Sequence, residues 1–189
     1  MILRIKDYYK MRKYNTIFLD RDGTLNPDPG YISSLDQFEF YDFTIPALQR
    51  LAYSGNRFCI VTNQSGVSRG LIEQDDLNKI HDYIKNEFFE YSIPLLDIYI
   101  CTDHPENASN RRKPGSGMFL EAANDHFINL SESLMIGDSV HDIKSGNNLD
   151  MDTLLVLTGR GKDTIKDNLE VEPTIIVNDL QGAADWILE

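Results

Sequence analysis

Short β-branched apolar runs alternate along the chain with stretches that repeat apolar residues every three or four positions. The runs are Thr16-Ile17-Phe18-Leu19, Phe58-Cys59-Ile60-Val61, Asp97-Ile98-Tyr99-Ile100, Ser133-Leu134-Met135-Ile136, Thr153-Leu154-Leu155-Val156-Leu157 and Thr174-Ile175-Ile176-Val177. Most are nearly continuous rather than alternating, the pattern of strands covered on both faces. Between them, Ile45, Leu48, Leu51 and Ala52 mark one face of a helix that stops near Gly55. Leu77, Ile80, Ile84 and Phe88 mark a second, and Met118, Phe119, Ala122, Ala123 and Phe127 a third. A shorter helix is predicted over about residues 140–149 and a last one over about 179–188. Alternation of this kind predicts an α/β fold with a mainly parallel, three-layer sheet. In such sheets ligands sit beyond the carboxyl ends of the strands, so chemistry is sought there.

Composition narrows the classes. The chain has 189 residues, 41% hydrophobic and 10% aromatic, enough for a real core and too aromatic for intrinsic disorder. No apolar run approaches the roughly 20 residues of a membrane span. Eighteen Lys+Arg against thirty Asp+Glu gives a net charge of −12, which disfavours a nucleic-acid partner. A small phosphorylated substrate stays open, because a few local cations can outweigh the net field. Cys59 and Cys101 make no disulfide framework, and Met1–Lys6 lacks the apolar region of a secretory signal, so a cytoplasmic protein is expected, and a monomer is taken as the default. Residues 1–14, basic and tyrosine-rich, read as an extension: an extra strand, a tail or an overlong start. Residues 15–189 read as one domain.

Four strand ends carry candidate chemistry. The first runs into Asp20-Arg21-Asp22-Gly23-Thr24, two carboxylates two apart before a turn. One can attack phosphorus while the other handles the leaving-group proton. Two close anions also imply a cation, and hard, oxygen-liganded Mg²⁺ fits best. A polar turn is the plainer explanation, yet Asp-x-Asp-Gly-Thr arises by chance in only about one chain in a thousand of this length. The second strand ends in Thr62-Asn63-Gln64-Ser65-Gly66, either a hydroxyl and amides for phosphate or a loop capping the next helix. After the third comes Arg111-Arg112-Lys113-Pro114-Gly115, the dense cationic cluster of an acidic chain, with Pro114 suited to a first helical turn. Lysine there can neutralise a transferring phosphoryl group, and arginine can fork onto a second phosphate. The fourth ends in Gly137-Asp138-Ser139-Val140-His141-Asp142, where Asp138 can complete a metal site with Asp142 behind it, or cap a helix.

In this order, Asp20-x-Asp22-Gly23-Thr24, Thr62, Lys113 and Gly137-Asp138-x-x-x-Asp142 resemble the haloacid dehalogenase superfamily of aspartyl-phosphate phosphatases. The resemblance spans roughly residues 16–160. It implies a Rossmann-like core, Asp20 as nucleophile, Asp22 as general acid/base, and Thr62 and Lys113 on the phosphoryl oxygens. It places Mg²⁺ on Asp20, the Asp22 carbonyl and Asp138. Phe18 to Asn26, Gly30-Tyr31, Thr62 to Gly70 and Arg112 to Met118 look more closely like the heptose 1,7-bisphosphate phosphatases and their histidinol-phosphate phosphatase relatives. That likeness implies hydrolysis of a sugar 7-phosphate in nucleotide-heptose supply for surface polysaccharide. Tyr31, Asn63, Gln64, Ser65, Arg69 and Arg112 are then substrate-binding candidates.

Two departures from the family pattern stand out. Many members carry a zinc loop, Cys-x-His and then Cys-x-Cys directly before Arg-Lys-Pro. Here it reads Cys101-Thr102-Asp103-His104-Pro105 and then Ser109-Asn110-Arg111, too few ligands for a closed tetrahedral site, so no structural zinc is expected. Ser139 stands where the heptose enzymes tend to have lysine. No insertion is long enough for a large cap domain; the residues between Leu25 and Ile45 allow a small flap. Competing readings are a histidinol-phosphate phosphatase, a nucleic-acid 3′-phosphatase, disfavoured by charge, and a non-catalytic phosphosugar-binding protein, disfavoured by the intact Asp20/Asp22 pair.

Overall fold

A computed structural model describes residues 14–167 and 172–189. Among these residues six strands form one sheet in the order β3-β2-β1-β4-β5-β6, every neighbouring pair parallel. They are β1 (Thr16–Leu19), β2 (Arg57–Asn63), β3 (Leu95–Cys101), β4 (Leu134–Gly137), β5 (Asp152–Val156) and β6 (Ile175–Val177). The helices are α1 (Thr44–Tyr53), α2 (Gln74–Glu90), α3 (Gly117–His126), α4 (Val140–Asn147), α5 (Gly161–Asp167) and α6 (Leu180–Leu188).

The continuous apolar runs have a direct explanation in the layers. Ile17 and Leu19 of β1, with Phe58 and Ile60 of β2, face a core closed by α1, α2 and α6. Phe18, Cys59 and Val61, one residue out of step, face a second core built with Met118, Phe119 and Ala122 of α3. Side chains alternate across a strand, so a sheet with two covered faces needs apolar residues at every position.

Differences from expectation lie at boundaries and in polar segments. Strands β2 and β3 run further than their apolar cores. Helix α5 was not anticipated, because Lys162, Asp163 and Lys166 give it no apolar stripe; only Gly161 and Thr164 are buried. The proposed extension at residues 1–14 lies outside the described residues except for Tyr14, which is buried and donates to Asp152 Oδ2 at 2.6 Å. Among the described residues no helix is long and apolar enough to cross a membrane.

The segment between β1 and α1 is a small flap with one 3-10 turn at Leu35–Gln37. It is pinned to α2: the Phe38 ring lies 6.0 Å from Tyr83, and Phe40 lies 6.2 Å from Tyr83 and 6.4 Å from Phe88. Such aromatic pairs add to the burial of their surface.

Candidate active site

The carboxyl edge of the sheet gathers the four motifs in one cavity of about 230 Å³. Its lining includes Asp20 and Asp22 after β1, Thr62, Asn63, Gln64 and Ser65 at the end of β2, Arg112 and Lys113 beyond β3, and Asp138 after β4. Tyr31 of the flap lines it too.

Lys113 is the hub. Its ammonium donates to Asp20 Oδ1 at 2.7 Å, Asp142 Oδ1 at 2.6 Å and the Val61 carbonyl at 2.7 Å. All three N–H bonds are thus committed, and a phosphoryl oxygen must share or displace the one to Asp20. Burial works against the charge, but Asp142 and Asp20 outweigh it and push the ammonium pKa up, so Lys113 stays a cation. Asn63 fixes its backbone in both directions, Nδ2 to the Lys113 carbonyl at 3.1 Å and the Lys113 N–H to Oδ1 at 3.0 Å. Asn63, a substrate-binding candidate by sequence, therefore spends its amide on the loop that carries the lysine. Pro114 does not open a helix: α3 begins at Gly117, and a turn from Asn110 to Gly117 separates them.

Ligand oxygens of Asp20, Asp138 and Asp142 lie within 4.8 Å of one another. Three carboxylates against the one Lys113 ammonium leave two negative charges, which a divalent cation would match. The strain of the arrangement is visible in the acids. Burial, with added repulsion from Asp142 and Asp22 and relief from Lys113, lifts Asp20 to about 7. Burial, reinforced by Asp20 and Asp142, lifts Asp138 to about 8. The oxygen-only donor set fits Mg²⁺. Within it Asp142 is a supporting group, since Oδ1 is taken by Lys113 and Oδ2 by the Ser139 N–H at 3.0 Å and hydroxyl at 2.6 Å. Ser139, not Asp138, caps α4. Asp138 stays free for the cation on one side and accepts from the Arg160 N–H at 2.7 Å. Glycines make room for it: a Cβ at Gly23, φ +83°, or at Gly159, φ +50°, would fall against the Asp138 carboxylate.

Asp22 sits apart from this cluster. Arg21 grips it with two N–H groups, Nε to Oδ1 at 3.0 Å and Nη2 to Oδ2 at 2.8 Å. Asn26 Nδ2 adds a bond at 3.0 Å, and Gln64 Nε2 bridges Asp22 Oδ2 and Thr62 Oγ1 at 2.8 Å each. Burial alone would raise the Asp22 carboxyl, but Arg21 and these amide donors hold it below the usual range. Asp22 is therefore held ionised.

Ser65 and Tyr31 line the cavity, whereas Arg69 is exposed on the following turns and is not among the lining residues. Arg112 lines it with one N–H donated to the Asp103 carbonyl at 3.2 Å, leaving the rest of its fork. Sequence reasoning passed over Asp28, His141 and Arg160, which also line it. Arg160 follows β5, so the strand-end rule reaches it; its side chain meets Asp28 of the flap at 3.4 Å.

The HAD-hydrolase-like family profile matches residues 110–183. The chain is 35% identical over 180 residues to the D-glycero-beta-D-manno-heptose-1,7-bisphosphate 7-phosphatase of Haemophilus influenzae, covering 92% of this chain and 90% of that one. It is 34% identical to the D-glycero-alpha-D-manno-heptose-1,7-bisphosphate 7-phosphatase of Burkholderia mallei, covering 78% and 82%. The crystal structure of D,D-heptose 1,7-bisphosphate phosphatase from B. bronchiseptica, complexed with magnesium and phosphate, superposes with a TM-score of 0.86 at 30% identity, covering 92% of this chain and 98% of that one. The chain is thus a phosphatase and belongs to the haloacid-dehalogenase-like family that includes the heptose 1,7-bisphosphate 7-phosphatases.

Proposed function

We propose that this protein removes the 7-phosphate of D-glycero-D-manno-heptose 1,7-bisphosphate, acting as a cytoplasmic monomer on a small phosphosugar in nucleotide-heptose supply. The observation that carries this reading is the split of cations in the cavity. Lys113 is buried at the nucleophile, while Arg112 and Arg160 stand on the wall. One anionic end of a bisphosphate meets the lysine and the other meets a guanidinium fork, which suits a fixed phosphate.

In the first half-reaction an Asp20 carboxylate oxygen attacks phosphorus, the P–O bond to C7 breaks, and the ionised Asp22 takes the proton of the substrate's phosphate monoanion and passes it to the departing oxygen. In the second, water attacks the aspartyl phosphate and the bond from phosphorus to the Asp20 oxygen breaks; Asp22 takes the water's proton and passes it to the inorganic phosphate, so that both carboxylates are regenerated. Thr62 and Lys113 hold phosphoryl oxygens throughout. Asp20, Asp138 and the Asp22 carbonyl would hold Mg²⁺, which would neutralise charge on the phosphoryl group.

Arg112→Ala tests the substrate. A charge-assisted contact of this type is worth about 1.5–3 kcal/mol, so KM for the heptose bisphosphate should rise roughly ten- to hundredfold. KM for a monophosphate such as histidinol phosphate should barely move. Equal losses on both would favour a monophosphate substrate. Assay of the alpha and beta anomers then identifies which relative it follows.

Metal dependence is the second check. Chelation should lower turnover at least about a hundredfold, and Mg²⁺ should restore it. Elemental analysis should find no stoichiometric zinc. Other bonds tie the Cys101–Arg111 loop: the Ser109 N–H donates to Asp103 Oδ2 at 2.8 Å, and Arg111 reaches the Ile100 carbonyl at 2.9 Å and pairs with Glu121. One zinc per chain would overturn that account.

A further inference from the structure

Helix α2 buries Leu77, Ile80, Ile84 and Phe88, and among them one polar side chain, His81. Its Nε2 lies 3.2 Å from Nη1 of Arg21, and both residues are buried. A guanidinium only donates, so Nε2 must be the acceptor and the ring proton must sit on Nδ1. Nδ1 is itself buried and has no hydrogen-bond partner among the described residues. A side chain that strands one buried donor is poorly explained by packing; an apolar residue would fill the space without that cost. What the ring does provide is an acceptor for Arg21.

Each nitrogen of the Arg21 guanidinium has a partner. It is fully buried, its guanidinium is 6.0 Å from the centroid of the Phe38 ring, and its Nε and Nη2 donate to the two oxygens of Asp22. The planar fork transmits orientation: fixing Nη1 fixes the plane in which Nε and Nη2 meet the carboxylate. The geometry points to His81 as a positioning residue for phosphoryl transfer, acting through Arg21 to set the orientation of the Asp22 carboxylate. Burial, aided by the Arg21 charge, pushes the ring pKa down to about 3, so His81 remains a neutral acceptor under working conditions.

This inference rests on the acid/base role given to Asp22, and the experiment separates the two. The variants are His81→Leu and His81→Gln, with Asp22→Asn as reference. The substrates are the heptose bisphosphate, whose alkoxide leaving group needs a proton, and p-nitrophenyl phosphate, whose leaving group does not. Asp22→Asn should lose far more activity on the sugar phosphate than on the aryl phosphate; equal losses would sink the acid/base reading itself. His81→Leu should lower kcat on the sugar phosphate about ten- to thirtyfold with little change in KM, and on the aryl phosphate about threefold or less. His81→Gln, whose side-chain oxygen can accept from Arg21, should recover most of the loss. Should His81→Leu fail to fold, His81→Asn, an amide too short to reach Arg21, replaces it against His81→Gln. With Asp22→Asn behaving as stated, equal losses on the two substrates, or a glutamine no better than leucine or asparagine, would overturn the role of His81.

Discussion

Asp20→Asn should leave a folded protein with turnover reduced by at least about a thousandfold on every phosphomonoester. An amide oxygen does not displace an alkoxide from phosphorus, so no aspartyl phosphate can form and no slower route replaces it. The fold should not suffer. The asparagine Oδ1 can still accept from Lys113, and the Asp20 N–H bond to the Ile136 carbonyl is backbone only. One of three mutually repelling carboxylates is also removed, the group that burial and its neighbours have already lifted to about 7. Thermal stability of Asp20→Asn should therefore equal or exceed that of the parent. Clean protein with residual activity above about a thousandth would exclude the covalent route. Stable acid-quenched phosphoprotein should be trapped from the parent and absent from the variant.

Lys113→Ala should damage both activity and stability, the reverse of the Asp20 case for the second quantity. Lys113 is 3% exposed and is the partner of Asp20, Asp142 and the Val61 carbonyl. Removing it strands Asp142, which is wholly buried, and leaves three carboxylates unopposed. Breaking a buried pair from one side costs about 3–5 kcal/mol, which urea denaturation reads directly. Mg²⁺ should recover part of that loss by replacing some of the missing charge. Turnover should fall about a hundred- to thousandfold on monophosphate and bisphosphate alike, because the charge that develops on the transferring phosphoryl group is common to both. A variant with parental kcat and only a raised KM would show that Lys113 binds substrate without assisting its reaction. Paired with Arg112→Ala, the two adjacent cations should separate cleanly: loss of kcat on all substrates from one, loss of affinity for a second phosphate from the other.

The layout of the sheet was largely legible because burial on both faces writes itself into consecutive residues. Phe18 and Ile17 serve opposite cores, so both had to be apolar, and the run announced a covered strand. Helices with a stripe, such as that of Leu77, Ile80, Ile84 and Phe88, were equally plain. Helix α5 was not, since Lys162, Asp163 and Lys166 leave no periodicity to read. At the site, Asp20, Asp22, Thr62, Lys113 and Asp138 were named from strand ends and motif spacing, and they do share one cavity. Arg69 was named by the same loop pattern and is exposed outside it. The polar break that His81 makes in an apolar stripe was a signal available in the sequence and passed over.

Local pattern by itself determined the order of strands and helices and the residue types delivered to the carboxyl edge of the sheet. Those depend on neighbours a few positions away, through side-chain alternation and helical period. Which groups touch was decided only in three dimensions. Lys113 meets Asp20 from 93 positions away and Asp142 from 29, and His81 meets Arg21 from 60. Those contacts turn two chemically identical side chains into different acids. Asp20 faces other carboxylates and is pushed up; Asp22, two residues later, faces a buried guanidinium and is held down. Burial and partner charge set the protonation of each, and both arise from packing between elements far apart in the chain.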